Sequence, residues 1–133
     1  MKKNGILNAP LSRIVAAMGH TNKLVICDSG LPIPQKAEVV DLALTKNIPR
    51  FIEVLKVILD ELQVEDAIIA EELVESGNGL FDEIKSLLPE LKIKEVGHEQ
   101  FKNITREDPE ITFVRTGEAT PYANIILVSG VTF

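Results

Sequence analysis

Apolar residues fall into two kinds of pattern along the chain, short continuous runs and stripes with a helical period. The runs at 24–27 and within 64–70 are typical of strands that are covered on both faces. Apolar and polar residues alternate over 91–96, which predicts a strand with one solvated face near a sheet edge. Three shorter apolar runs predict further strands at 39–44, 111–115 and 124–128.

Helical stripes lie between these strands. A first helix is predicted to start at Asn8 or Ala9, with an apolar face at positions 11, 14, 15 and 18 and with Gly19 as its stop. The longest predicted helix opens at 48–49 and keeps its apolar period to position 62. The remaining predicted helices span 80–88, ended by a proline, and 98 to about 104.

This order of elements predicts one fold class. Strands that alternate with helices indicate a single three-layer α/β/α domain over residues 1–133, with a mainly parallel or mixed central sheet. A chain of 133 residues can bury a sizeable core. The apolar last residue, Phe133, suggests that the C-terminus is tucked into the fold or buried against another subunit.

Composition narrows the range of partners and locations. The net charge is −6 and no basic cluster occurs, so we expect neither nucleic acid nor membrane as a partner. The single cysteine, Cys27, allows no internal disulfide and fits a reducing, cytoplasmic setting. No apolar run approaches the roughly 20 residues that span a bilayer. We also expect no signal peptide, because no apolar segment follows Lys2 and Lys3.

The stretch around the strand at 24–27 holds the first candidates for acid–base chemistry. His20 precedes this strand, and Asp28 follows its C-terminal end, where open α/β sheets bind ligands. A loop at 30–34 with two prolines comes next and should be stiff. An imidazole exchanges protons readily near neutral pH. The alternative interpretation is a surface histidine and an aspartate that only caps its own loop.

Two further segments carry polar groups beside predicted strands. His98 opens a predicted helix, and Tyr122, Ala123 and Asn124 precede the last strand. A tyrosine hydroxyl and an amide that donates and accepts suit a small polar ligand such as a sugar. The simpler interpretation is an edge tyrosine and a turn asparagine. Four other charged residues are expected to be solvated: Glu71, Glu72, Lys102 and Glu118.

Known cofactor signatures are missing from the sequence. The two histidines and the one cysteine have no spacing that suits a metal ion. No Walker, GxGxxG or GxSxG motif occurs. We therefore expect an α/β domain with histidine, aspartate, tyrosine and asparagine on its loops and with neither a metal nor a nucleotide cofactor.

Five segments of the chain carry a recognisable pattern: Gly19-His20-Thr21, the run from Cys27 to Pro34, His98 to Phe101, Pro121 to Leu127 and Gly130 to Phe133. Together they resemble the family of ribose pyranases and fucose mutarotases. The resemblance runs from Met1 to Phe133, with the segments in the same order. Ser29 stands where the family pattern has alanine, and the stretch at 75–94 carries no segment of the family.

The resemblance implies a cofactor-free isomerase that interconverts the pyranose and furanose forms of D-ribose. It also implies a ring-shaped homo-oligomer, a pentamer or a decamer of paired rings, with the site near a subunit boundary. His20 would be the catalytic proton donor, and either His98 or Asp28 would be its partner base or an orienting group. The implied sugar-binding positions are Asp28, His98, Tyr122, Ala123 through its backbone only, and Asn124.

Two other functions fit the same residues. Within the family, the alternative is fucose mutarotation, the exchange of anomers of a six-carbon sugar. In a different class, the chain would be a non-catalytic sugar-binding or regulatory module. Such a module would bind ribose without accelerating the exchange of its ring forms.

Overall fold

The computed structural model describes all 133 residues. Helices and strands alternate through most of the chain. In order, they are α1 Ala9–Ala17, β1 Lys23–Cys27, β2 Glu38–Asp41, α2 Phe51–Leu59, β3 Val64–Ala70, α3 Glu71–Glu75, α4 Leu80–Leu87, β4 Lys94–Val96, α5 His98–Glu107, β5 Thr112–Arg115 and β6 Ile125–Ser129.

All strands join one mixed sheet in the order β2-β5-β1-β6-β3-β4. β2, β5 and β1 run parallel, and so do β3 and β4. β6 lies antiparallel between β1 and β3 and joins the two parallel groups. The predicted α/β class with a mixed sheet is therefore confirmed.

Helices cover both faces of this sheet. On β1, Leu24 and Ile26 pack into a cluster with α1, α2, α3 and α4. Val25 and Cys27 point to the opposite face and pack with Phe101 of α5. This alternation follows from the two-residue period of a strand, and it gives the three layers that the sequence predicts.

Several element boundaries differ from the predictions, although 64–70 is a strand as expected. β2 ends at Asp41 rather than at 44, and β4 holds only the last part of 91–96. α2 begins at Phe51 and ends at Leu59, so it is shorter than its apolar period. α3 was not predicted, since five residues are too few to show a helical period.

The chain ends on an exposed apolar residue. Phe133 is fully exposed and Val131 is 40% exposed. The prediction that the C-terminus is tucked into its own fold is therefore wrong, while its burial against another subunit stays a prediction. None of the five helices combines the length and the apolar character that a membrane crossing requires.

Candidate active site

Asp28 and Asn124 form a reciprocal pair where β1 ends and β6 begins. The Asp28 N–H donates to Asn124 Oδ1 at 2.9 Å, and Asn124 Nδ2 donates to Asp28 Oδ2 at 3.1 Å. Gly30 N–H donates to the other carboxylate oxygen, Oδ1, at 2.9 Å. The two strands are antiparallel neighbours, so the C-terminal end of β1 lies beside the N-terminal end of β6. The carboxylate is thus held on both of its oxygens.

His98 and Tyr122 lie together beside this pair. Their ring centroids are 5.0 Å apart, with the rings at 78° in an edge-on arrangement. The backbone N–H of His98 donates to both carboxylate oxygens of Glu72, at 2.9 and 3.0 Å, which fixes the start of α5. Tyr122 has a φ of +64°, a left-handed conformation that is uncommon for a tyrosine and that often marks functional sites.

These residues line an open pocket of about 270 Å³. Three of the predicted site residues, Asp28, His98 and Tyr122, contribute to its wall. His98 Nδ1 is buried and has no hydrogen-bond partner in the chain. A buried polar atom without a protein partner is a candidate for contact with ordered water. The rest of the wall consists of Gly30, Leu31, Pro32 and Pro121.

Burial sets the titration of the two acidic groups at the end of β1. Burial raises the pKa of Asp28, while hydrogen bonds from Gly30 and Asn124 and the nearby His98 act in the opposite direction. Burial also raises the pKa of the Cys27 thiol to about 12, with the charge of Asp28 as a further cause. Cys27 therefore stays protonated at neutral pH and is a poor nucleophile.

His20 lies at the other end of β1 from this pocket. β1 separates the two positions with five residues, a span of about 16 Å. His20 Nε2 is 2.8 and 3.0 Å from the two carboxylate oxygens of Glu65, and its side chain is 54% exposed. The structure thus does not bring His20 together with Asp28 in one chain. Neither Asp28 nor His98 of the same chain can act directly on its proton.

The two remaining predicted residues are buried behind the pocket. Ala123 and Asn124 are both fully buried. The amide of Asn124 already contacts the backbone and the carboxylate of Asp28. Its geometry therefore suits a residue that holds Asp28 in place, and direct contact between Asn124 and a sugar hydroxyl remains a prediction.

The expectation that four charged side chains are solvated is wrong for Glu118. For Glu72 and Lys102 it overlooks the specific contacts that these side chains make. Glu118 is only 5% exposed and accepts the backbone N–H of Phe51 at 3.0 Å. Glu72 caps α5 at His98, and Lys102 is 19% exposed and pairs with Glu99. The only feature of the sequence that could have pointed to a buried Glu118 is its place in a short loop between two apolar strands. That feature does not distinguish a buried carboxylate from an exposed one.

Comparisons with known proteins agree over the full length. The model of the RbsD / FucU transport protein family matches residues 1–132. A protein named D-ribose pyranase from Coprothermobacter proteolyticus is 53% identical over 133 residues, covering 100% of both chains. Another of that name from Clostridium perfringens is 50% identical over 133 residues, again covering 100% of both.

Solved structures give the same result. Bacillus subtilis RbsD complexed with D-ribose has a TM-score of 0.93 and 42% identity, covering 100% of both chains. FucU from Bifidobacterium longum shares the fold, with a TM-score of 0.79, 24% identity and coverage of 96% of this chain and 97% of that chain. The resemblance inferred from the sequence segments is thus confirmed. The chain belongs to the RbsD / FucU transport protein family.

Proposed function

We propose that the chain catalyses the interconversion of the pyranose and furanose forms of D-ribose. The observation that carries this proposal is the full-length identity of about one half to proteins named D-ribose pyranase. The ribose-bound relative at 42% identity supports the same substrate. The fucose-related structures are less than 25% identical and support only the fold.

The reaction breaks one carbon–oxygen bond of the sugar, forms another and moves protons, with no other reactant. Opening the pyranose removes the proton from the anomeric hydroxyl and delivers one to the ring oxygen, which releases the open-chain aldehyde. Closing the furanose attaches a different hydroxyl oxygen to the same carbon, while that hydroxyl loses its proton and the carbonyl oxygen gains one. Positioned acid and base groups typically accelerate such steps about 10²–10⁴-fold. Side chains of this protein can supply both groups.

The pocket residues take distinct roles in this proposal. Gly30 and Asn124 hold the Asp28 carboxylate in place. The carboxylate accepts a hydrogen bond from a sugar hydroxyl. His98, whose side chain lines the pocket beside Asp28, takes the anomeric proton as the base. Tyr122 provides a hydroxyl and a ring face, and Ala123 contributes backbone only.

We propose His20 as the proton donor, supplied by a second copy of the chain. The span of β1 keeps His20 away from the pocket of its own chain, while its exposed side chain is free to reach a neighbour. A heterologous contact between copies forms a ring when its rotation closes, as the proposed pentamer or decamer requires. The exposed apolar residues Val131 and Phe133 follow β6 and would be covered by such a contact.

The location proposed for the protein is the cytoplasm. The single cysteine is free and buried, as a reducing compartment permits.

Saturation-transfer NMR tests the reaction directly. The anomeric protons of ribopyranose and ribofuranose are followed in the presence of wild-type protein and of Asp28→Asn. We expect wild type to accelerate the exchange between the two ring forms over the rate without protein. The variant should bind ribose more weakly, so that a higher ribose concentration is needed to saturate it. Parallel samples with L-fucose distinguish the two sugar reactions. Saturable ribose binding without faster exchange would contradict the enzyme proposal and favour a binding module.

A further inference from the structure

Glu118 is a buried carboxylate for which the proposed reaction has no role. It lies in the loop at 116–124 between β5 and β6 and is 5% exposed. Burial of a charged group is costly unless hydrogen bonds compensate for it. We infer that Glu118 is a positioning residue that fixes the loops carrying Tyr122 and Asp28 against the start of α2. The effect on sugar binding rests on the proposed function, whereas the effect on loop order does not.

The side chain of Glu118 connects a helix to the Tyr122 loop. Its Oε2 accepts the N–H of Phe51, the first residue of α2, at 3.0 Å. Its Oε1 accepts the hydroxyl of Thr120 at 2.7 Å, with the guanidinium of Arg50 3.9 Å away. The positive end of a helix dipole favours a carboxylate at this place. The carboxylate is thus anchored to α2 and holds a residue that lies two positions before Tyr122.

The main chain of Glu118 connects the same loop to Asp28. Its carbonyl accepts both the N–H and the hydroxyl of Ser29, at 2.9 and 3.0 Å. Ser29 directly follows Asp28, and its own carbonyl accepts two hydrogen bonds from Arg115 at 3.0 and 3.2 Å. Glu118 therefore contacts both pocket loops, at Thr120 near Tyr122 and at Ser29 next to Asp28.

Close packing around Gly117 leaves this loop little room to adjust. The Gly117 N–H donates to the carbonyl of Pro49 at 2.9 Å. A Cβ on Gly117 would clash with the backbone carbonyl oxygens of Thr45 and Ile48. The left-handed backbone of Tyr122, with its φ of +64°, persists only where its surroundings hold it. Loss of the Glu118 contacts should therefore affect Tyr122 first.

The composition of the chain provides a selective probe. Tyr122 is the only tyrosine, and there is no tryptophan, so ultraviolet-excited fluorescence reports chiefly on this residue. Removing the carboxylate with Glu118→Ala should lower the fluorescence anisotropy of the sugar-free protein. It should also raise KM for ribose about tenfold, in line with one lost hydrogen bond, with little change in kcat. Glu118→Gln should restore most of both values, because its oxygen still accepts from Phe51 and its amide reaches Thr120.

Glu53→Ala is the matched control. Glu53 accepts the backbone N–H of Arg50 at 3.0 Å at the start of the same helix, but it contacts neither pocket loop. This variant should lower Tm and leave the anisotropy and KM unchanged. If Glu118→Ala also lowers only Tm, a purely structural role is established and the inference is overturned.

A second variant covers the case in which Glu118→Ala does not fold. Thr120→Val removes the loop contact of Glu118 and leaves its cap on α2 intact. We expect lower anisotropy and a raised KM, and unchanged values would contradict the positioning role. Because anisotropy is measured without sugar, it tests the effect on loop order even if ribose exchange is absent.

Discussion

The two ends of β1 have opposite surroundings. At its C-terminal end, Asp28 is held by Gly30 and by the buried Asn124, and a pocket opens beside it. At its N-terminal end, His20 lies on the surface with a single side-chain partner, Glu65. Within one chain, the C-terminal end of β1 thus carries a preorganised pocket, and the N-terminal end carries a separate acid–base group, His20. We propose that the complete site combines these two ends from two different chains.

The largest effect should come from the exposed end. We expect His20→Ala to slow the exchange of ribose ring forms about 10²–10⁴-fold, since it removes the proposed proton donor. Ribose affinity should change little, because the substitution leaves the residues proposed to bind the sugar, Asp28 and Tyr122, unaltered. Saturation-transfer NMR gives the rate, and a titration of Tyr122 fluorescence gives the affinity. The exposed Lys92→Ala is the control, and equal losses in both variants would remove His20 from the reaction.

The next effect should come from the preorganised end. Asn124→Ala should lower the free energy of unfolding by about 1–3 kcal/mol, because the N–H and the carboxylate of Asp28 lose their partner. Ribose affinity should fall at the same time. Chemical denaturation and a ribose titration measure the two changes. Asn103→Ala, at an exposed position of α5, should alter neither, and an unchanged stability of Asn124→Ala would show that the pair contributes little.

The carboxyl groups at the two ends of β1 should make contributions to the free energy of unfolding that change in opposite directions with pH. Burial raises the pKa of Asp28, so the folded chain binds that proton more tightly than the unfolded chain does. Asp28 therefore adds stability below its ordinary pKa of 3.8 and loses that contribution as the pH rises through the raised value. The hydrogen bond from Lys23, at the start of β1, lowers the pKa of Asp108. Asp108 adds stability above its ordinary pKa, which is lost as the pH falls through the lowered value.

Unfolding free energies measured across the acidic range test this contrast. As the pH falls, wild type should gain stability relative to Asp28→Asn and lose stability relative to Asp108→Asn. Ribose affinity should decline as Asp28 takes up its proton. If both differences in stability, wild type against Asp28→Asn and wild type against Asp108→Asn, change in the same direction with pH, the opposite pKa shifts of these two carboxyl groups are contradicted.

The smallest effect should come from the partner of His20. Glu65→Gln should reduce kcat about two- to fivefold without raising KM, since exposed ion pairs contribute about 0–1 kcal/mol. The loss reflects a less constrained imidazole. Asp66→Asn changes the net charge equally, and Asp66 contacts the N–H of Ala67 rather than His20. A similar reduction in both variants would point to overall charge instead of the contact.

The fold could be predicted where a pattern was long and strongly apolar. Residues 64–70 form β3 as expected, because an apolar core bounded by polar residues has few alternatives. α3 was missed because one helical turn beside a strand carries no period. The antiparallel direction of β6 could not be inferred, since its apolar run suits either orientation.

The site was predicted as a set of residues rather than as a geometry. Asp28, His98 and Tyr122 do line one pocket. The reciprocal hydrogen bonds between Asp28 and Asn124 depend on strand order, which no local pattern specifies. The buried contacts of Glu118 depend on the same long-range packing, so a solvated charge was the natural expectation.

Mixed oligomers test the division of the site between two chains most directly. His20→Ala and Asp28→Asn are co-expressed, purified together and compared with each variant alone by saturation-transfer NMR. In a randomly mixed ring, about one quarter of the sites would combine an intact His20 with an intact Asp28. We predict that activity returns to about that fraction of wild type. A mixture of His20→Ala and His20→Asn should remain inactive. No recovery in a demonstrably mixed oligomer would contradict a site shared between copies.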